Sequence, residues 1–125
     1  MNAALARTAY DSHARMVKTP KDLEHEALAR VTGRLRRAIN ADGPGAHPEL
    51  VATLDQNRRL WSIFAMDLAQ PENGLPTDLR ANLLGLAQFT FNHTAQVLRD
   101  GADASVIVDI NTAVMRGLRR EDGAE

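Results

Sequence analysis

The side chains best suited to chemistry in this chain are its four histidines and its scattered carboxylates. The histidines are His13, His25, His47 and His93, and none has an HExxH spacing or another recognisable zinc-binding pattern. The chain has no cysteine, which excludes disulfides and thiol chemistry. Its glycines fall in turn-like segments and form no phosphate-binding loop. The residue types therefore predict a non-enzymatic protein with no catalytic residue, no metal site and no cofactor.

A basic cluster offers a different kind of chemistry, the binding of phosphates. Arg30, Arg34 and Arg37 are spaced by four and three residues, so they share one face of a predicted helix, and Arg36 lies beside them. Such a face can bind RNA, which makes a post-transcriptional regulator of messenger RNA one hypothesis. The formal net charge is only -1, and no stacking aromatic residues accompany the arginines. The sequence therefore favours a solvated face over a nucleic-acid site.

A second basic pair precedes the single tryptophan. Arg58 and Arg59 come just before Trp61 on a predicted helix. They can pair within the chain, with Asp67 or Asp78, or they can receive an acidic or amide group from a partner, and both interpretations remain open. Trp61 lies on the apolar side of this helix, which favours a place in the core, although tryptophan is also common at interfaces.

Helices must position all of these residues, because Ala and Leu dominate the composition and aromatic residues make up only 4%. Apolar residues recur at helical spacing in five segments, about 2–17, 20–41, 48–69, 77–99 and 104–120. The first is sparsely patterned, with a single stripe at Leu5, Ala9, His13 and Met16. The pattern predicts an all-α fold, a small antiparallel helical bundle of four main helices plus a weak N-terminal helical arm.

The same pattern predicts three parts along the chain. Residues 1–18 are the N-terminal helical arm, 19–120 are the bundle, and 121–125 are a disordered tail. No apolar run has the length of a signal-peptide core or a membrane span. We therefore expect a cytoplasmic protein without membrane insertion, and the pattern leaves its oligomeric state open.

Two asparagines interrupt the predicted core. Asn57 falls within a seam whose members recur every three or four residues, and Asn111 lies on the last predicted helix. A polar group inside a bundle must form hydrogen bonds, and it then fixes the register of the helices. We expect both asparagines to bond to neighbouring groups. The seam consists of Leu50, Leu54, Asn57, Trp61, Phe64 and Leu68.

The bundle has more apolar surface than one core needs. On the last helix we expect Val106, Ile110, Ala113 and Val114 to line the core, with Ile107 at the flank. The surplus indicates either that a partner helix docks on the bundle or that the first segment covers it. The residues predicted to bind a partner are Arg58, Trp61, Phe64, Phe89, Ile107 and Ile110.

Two longer motifs are specific enough to suggest a family. They are NRRLW at 57–61 and DLAQPENGLPTDLR at 67–80, followed by IN at 110–111 and GL at 117–118. With these motifs the chain resembles the FlaF family of flagellar biosynthesis regulators from alphaproteobacteria over about residues 20–118. One departure is Phe89, at a position where the family pattern has a tryptophan. The motif residues to which we assign a structural role are Asn57, Leu60, Asp67, Pro71, Asn73, Pro76, Arg80 and Asn111.

The resemblance implies a function that the spacing of residues alone does not. It implies a cytoplasmic, non-enzymatic protein that is needed for flagellar filament production. Such a protein binds flagellin before export and couples flagellin synthesis to secretion, alongside the regulator FlbT. Flagellin termini are amphipathic helices, so helix-in-groove packing on the bundle is the expected mode of binding.

Overall fold

The computed structural model describes the backbone of residues 20–123 and the side chains of residues 25–117. It contains four helices, α1 (Pro20–Asn40), α2 (Ala46–Leu68), α3 (Thr77–Asp100) and α4 (Ser105–Gly123). No strand occurs among the described residues, which confirms the all-α prediction and its four main helices. The predicted arm at 1–18 lies outside the described residues. Within residues 20–123, no helix is both long and apolar enough to cross a membrane.

The helix ends follow the local turn chemistry. Gly45, with a φ of 89°, precedes α2, so this helix begins two residues before Pro48. Proline is tolerated there because backbone N–H groups of the first turn have no partner inside the helix. Gly101, with a φ of 73°, ends α3 in the left-handed conformation that favours glycine. The Ser105 N–H donates to Asp103 Oδ1 over 2.9 Å, so the Asp103 side chain caps the start of α4.

The last helix is longer than the sequence pattern indicates. We expected a disordered tail from residue 121, but α4 continues through Gly123. The physical reason is that no glycine or proline interrupts the chain between Leu118 and Asp122, so the last helical turn has no breaker before Gly123. Residues 124–125 lie outside the description.

The four helices form a ring in which each one packs against two neighbours. The packed pairs are α1 with α2, α2 with α3, α3 with α4, and α4 with α1, while α1 and α3 lie across the ring from each other. The pair α3–α4 makes the fewest close approaches of the four. This order is that of an up-down bundle with short connections.

The core divides into two clusters along the bundle axis. One end holds Leu28 and Val31 of α1, with Trp61, Phe64, Leu68, Leu83, Ala87 and Val114. The other end, near the α3–α4 connection, holds Leu35, Leu54, Val97, Ala104, Ile107 and Val108. The α2 seam predicted from the sequence is therefore confirmed, with all its members but Leu50 buried.

The orientation of α4 differs from the prediction. Ile107 is fully buried, whereas Val106 and Ile110 are half-buried and Ala113 is exposed. The physical reason is that Asn111 takes a place in the core, which turns the neighbouring apolar stripe away from the bundle centre. The part of the stripe that includes Ala113 consequently faces α3 and not the bundle centre.

Candidate partner-binding site

An apolar groove lies between α3 and α4, with a volume of about 180 Å³. Leu79, Asn82, Leu83 and Leu86 of α3 form one wall. The opposite wall belongs to α4 and consists of Ala113, Val114 and Gly117. Of the residues that line the groove, Asn82 alone has a polar side chain.

Helical periodicity explains why this groove is apolar. Leu79, Asn82 and Leu86 recur every three or four residues on the flank of α3 that faces α4, and Phe89 continues the same flank by one turn. On α4, Gly117, Ala113 and Ile110 recur in the same way. Phe89 is 47% exposed and stacks on His93, with ring centroids 5.6 Å apart. The stripe therefore extends beyond the groove to Phe89 and Ile110.

A direct hydrogen bond joins the two helices near their connection. His93 Nε2 lies 2.7 Å from the backbone oxygen of Asp103, which ties the C-terminal half of α3 to the start of α4. Hydrogen bonds from the backbone N–H and from the side chain of Ser105 hold the pKa of Asp103 below its ordinary value, so this carboxylate stays charged at the cap. Farther from the connection, small residues on α4 leave space between the helices. A Cβ added at Gly117 would meet nothing within 4 Å.

The opposite side of the bundle has a buried hydrogen-bond network instead of a groove. Asn111 Nδ2 donates to Thr32 Oγ1 over 3.0 Å and to Asn57 Oδ1 over 2.8 Å. Trp61 Nε1 donates to Asn111 Oδ1 over 2.9 Å. All four residues are at most 1% exposed. The network links α1, α2 and α4, and it confirms that Asn57 and Asn111 bond to neighbouring side chains.

The comparison with protein families decides the family of the chain. The family model described as flagellar protein FlaF matches residues 6–118, which is most of the chain. The chain belongs to the FlaF family of flagellar proteins. Among curated proteins and among solved structures nothing matches the chain.

The FlaF motif at 67–80 builds the turn between α2 and α3. Asn73 Nδ2 donates to the side chain of Asp67 over 3.0 Å, and Asn73 Oδ1 accepts from the Leu75 N–H over 3.1 Å. Arg80 donates through Nε and Nη2 to the carbonyl of Leu68, over 3.0 and 2.9 Å, and through Nη2 to that of Gln70 over 2.9 Å. The Leu68 carbonyl belongs to the end of α2, where it has no partner within the helix, and Gln70 lies in the turn that follows.

The two prolines of the motif bound this turn. Pro71 is exposed three residues after the end of α2, and Pro76 precedes α3 with a φ of -57°. The Pro76 carbonyl accepts the Arg80 N–H over 2.9 Å, which closes the first turn of α3. Leu60, on α2, is half-buried and packs against the cluster around Trp61. The FlaF motif thus holds α2 and α3 together, as a structural role requires.

Three of the predicted contact residues do not lie on the surface. Trp61 is 1% exposed, Phe64 is 6% exposed, and Ile107 is fully buried. Core packing and the Trp61–Asn111 hydrogen bond engage these side chains, which contradicts their prediction as partner-binding residues. Trp61 and Phe64 also pack edge to face, 5.5 Å apart. Phe89 and Ile110 remain candidates, since they flank the groove.

Arg58 is exposed but lies on α2, which does not line the groove. It donates to Asp55 Oδ1 over 2.8 Å, and Arg59 pairs with the other oxygen of Asp55 over 2.9 Å. Both arginines thus pair within the chain, with Asp55 in place of Asp67 or Asp78, which were the intramolecular alternatives. The hydrogen bond from Arg58 holds the pKa of Asp55 below its ordinary value. The pair stabilises the surface of α2 and has no place in the groove.

Two arginines of the basic face of α1, Arg34 and Arg36, make hydrogen bonds to other helices of the bundle. Arg34 forms a two-pronged ion pair with Glu49, at 2.7 and 3.2 Å, and donates to Gln56 Oε1 over 2.6 Å. This contact lowers the pKa of Glu49 and raises that of Arg34. Arg36 donates to Thr112 Oγ1 over 3.2 Å. Two arginines of the proposed RNA face therefore join α1 to α2 and α4. Across the described part of the chain, no cluster of three or more metal-ligating side chains occurs.

Proposed function

We propose that this FlaF-family protein is a non-enzymatic, cytoplasmic chaperone that binds flagellin and couples its synthesis to secretion. Flagellin termini are amphipathic helices that expose an apolar face until the filament assembles, and such faces tend to aggregate. A bundle with an apolar groove can hold one terminal helix until export. The regulator FlbT, named by the family resemblance, is the second partner of this proposal.

The observation that carries the proposal is the groove between α3 and α4. Its two walls present leucine side chains on one helix and small residues on the other, so the apolar face of a third helix fits between them. Phe89, which is 47% exposed, extends the α3 wall of the groove, and a contiguous exposed apolar patch commonly marks a binding surface.

The groove also suggests that binding is reversible. It is short and almost free of polar groups, so most of the binding free energy comes from burial of apolar surface. A cargo that must be released for export needs moderate affinity, with a Kd on the order of micromolar.

A matched pair of charge substitutions tests this function. Ala113→Glu places a carboxylate in the groove, whereas Ala81→Glu places it on the exposed side of α3 that faces away from the groove. Both alanines are exposed, so neither change disturbs the core. With flagellin from the same genome, calorimetric titration at tens of micromolar should show binding weakened by about tenfold or more for Ala113→Glu and unchanged for Ala81→Glu.

Two results would count against this function. One is that flagellin and the wild-type protein migrate separately in size-exclusion chromatography at these concentrations. The other is that both glutamate variants bind as well as the wild type does. The RNA-binding alternative predicts a steep dependence of binding on salt and a loss on charge reversal at Arg34. Its support is weaker because Arg34 already pairs with Glu49 and Gln56.

A further inference from the structure

The middle of the core contains one buried polar residue from each of the four helices. All four are fully buried, and on their helices they fall between residues of the two apolar clusters. We call these residues the polar layer: Thr32 of α1, Asn57 of α2, Thr90 of α3 and Asn111 of α4. Three of them belong to the hydrogen-bond network described above, whereas Thr90 does not.

Asn57 and Thr90 lie at the same level of two helices that pack against each other. Each falls between one residue of the cluster that holds Phe64 and one residue of the cluster near the α3–α4 connection. These flanking residues are Trp61 and Leu54 on α2, and Ala87 and Val97 on α3. Since both side chains are also fully buried, they point into the core from facing helices.

The donors and acceptors of the polar layer can be assigned, because an indole N–H only donates. Trp61 Nε1 donates to Asn111 Oδ1, so the nitrogen of the Asn111 amide faces Thr32 and Asn57. Asn57 consequently accepts with its Oδ1, which leaves its Nδ2 to donate elsewhere. This Nδ2 is buried and has no hydrogen-bond partner within the part of the chain that the structure describes. The Asn57 amide therefore has a donor that the network does not use.

The α3 helix has no direct hydrogen bond to the polar layer. Thr90 Oγ1 is buried and, among the side chains of residues 25–117, it has no hydrogen-bond partner. The Thr90 carbonyl accepts from Thr94 Oγ1 over 2.7 Å, but that bond stays inside α3. The described side-chain hydrogen bonds from α3 to other elements come from Arg80, in its first turn, and from His93, near the connection to α4.

The unused groups of Asn57 and Thr90 are chemically complementary, but they do not bond to each other. An amide N–H donates, and a hydroxyl can accept. Packed helix axes lie about 8–10 Å apart, so the short side chain of threonine does not span the distance to Asn57. Either group would cost free energy if it had no partner in the core. One water molecule between two buried polar groups removes this cost, and globular proteins commonly contain such waters.

We propose that Asn57 Nδ2 and Thr90 Oγ1 form a binding site for one buried water molecule, which joins α3 to the polar layer. The Asn57 amide donates to the water, and the water donates to Thr90 Oγ1. Leu86, in the wall of the groove, precedes Thr90 by about one helical turn, so the water also fixes the position of that wall. The site needs no partner protein and does not depend on the proposed function.

A crystal structure of the full-length chain, at a resolution that shows ordered waters, tests this site directly. We expect one water within hydrogen-bond distance of both Asn57 Nδ2 and Thr90 Oγ1. The Thr90→Val variant should have no water bound in this way, because valine has a shape similar to that of threonine but no hydroxyl. A direct hydrogen bond between Asn57 and Thr90 in the wild type, or a wild-type site without water, would overturn the proposal.

Urea denaturation tests whether this water stabilises the bundle. Thr90→Val removes one of the two groups that bind the water, so the equilibrium constant for folding should fall by about tenfold. Thr94→Val is the matched control, since Thr94 is 2% exposed, lies about one turn farther along α3 and bonds to a carbonyl of its own helix. The equilibrium constant of this control should change by less than about threefold.

The stability of the two variants separates the possible roles of the Thr90 hydroxyl. A loss that is clearly larger for Thr90→Val than for Thr94→Val supports a bound partner at Thr90 Oγ1. If Thr90→Val is as stable as the wild type or more stable, the hydroxyl has no partner in the folded protein and the proposal is wrong. Equal losses for both variants also contradict it, because they would reflect the change from threonine to valine in a buried helix and not the site itself.

Discussion

The bundle has two sides that are held together in different ways. Where α1, α2 and α4 meet, Asn111 bonds to Thr32, Asn57 and Trp61 in a fully buried network. Where α3 meets α4, the close approaches are sparse, and small residues leave a groove. Directional hydrogen bonds in a core fix one arrangement of helices, because any shift leaves buried polar groups unpaired. The difference shows how a small bundle keeps a defined fold and still has an apolar surface for a partner.

The largest loss in the free energy of unfolding should come from removing Asn111, the central residue of the buried hydrogen-bond network. Asn111→Ala removes one acceptor and two donors at once and leaves Trp61 Nε1 and Asn57 Oδ1 buried without these partners. The free energy of unfolding should fall by about 3 kcal/mol or more, as measured by urea denaturation. The matched control is Asn92→Ala on the exposed side of α3, where the change should stay within about 0.5 kcal/mol. Similar effects for the two variants would mean that the network does not hold the bundle together.

The α2–α3 turn should be the next most sensitive place. Arg80→Ala removes the donors to the Leu68 and Gln70 carbonyls, and we expect the free energy of unfolding to fall by about 1–2 kcal/mol. Arg99→Ala is the control, because Arg99 is exposed and lies 3.7 Å from Asp100. A thermal melt of both variants compares them directly. An Arg99 effect as large as the Arg80 effect would argue that charge, not the capping of α2, accounts for the loss.

A substitution in the groove should raise the free energy of unfolding, whereas the two substitutions above lower it. Gly117→Ala adds a methyl group where nothing lies within 4 Å, and alanine forms helix better than glycine does. We expect the free energy of unfolding to rise by about 0.5–1 kcal/mol, as measured by urea denaturation. Gly85→Ala on α3, also with nothing within 4 Å of the added group, should give a similar gain. A loss at Gly117 alone would show that the groove is already filled by tightly packed atoms at this position.

The smallest effect should be the pH dependence of the Arg34–Glu49 pair. Its hydrogen bonds lower the pKa of Glu49, so its contribution to stability is present above the pKa that glutamate has in the unfolded chain, about 4.3. The contribution is lost as the pH falls through the lower pKa of the folded state. The difference in urea midpoint between the wild type and Glu49→Gln should therefore be larger at pH 7 than at about pH 3.

Glu72→Gln, in the exposed turn after α2, serves as the control for this measurement. The difference in urea midpoint between Glu72→Gln and the wild type should stay close to zero at both pH values. If the difference in urea midpoint between the wild type and Glu49→Gln also stays constant with pH, the ion pair makes no net contribution to the stability of the fold.

Much of the fold could be predicted from the sequence because its signals are local. The spacing of Leu54, Trp61 and Leu68 specifies the buried side of α2, and Gly101 with Asp103 specifies the turn before α4. The motif around Asn73 and Arg80 could be assigned a structural role for the same reason. Its hydrogen bonds span at most a dozen residues, so proximity in sequence already brings the partners together.

The candidate site was predictable only in part. Phe89 and Ile110 continue the helical stripes of the groove and stay predicted contact residues, whereas Trp61, Phe64 and Ile107 are core residues. An apolar side chain at helical spacing has the same pattern whether it packs against its own chain or against a partner. The groove residues Leu86, Ala113 and Gly117 gave no separate signal, because two of them are small and all three belong to ordinary helical stripes.

The amino-acid sequence by itself determined the four helices, the turn before α4, the polar turn between α2 and α3, and membership of the FlaF family. The tertiary structure decided which side of α4 faces the core. Asn111 is hydrogen-bonded to α1 and α2, and this turns Ile107 inward and leaves Ala113 and Gly117 beside α3. The physical reason is that these hydrogen bonds join residues more than fifty positions apart, and no local pattern of apolar and polar residues specifies such pairs.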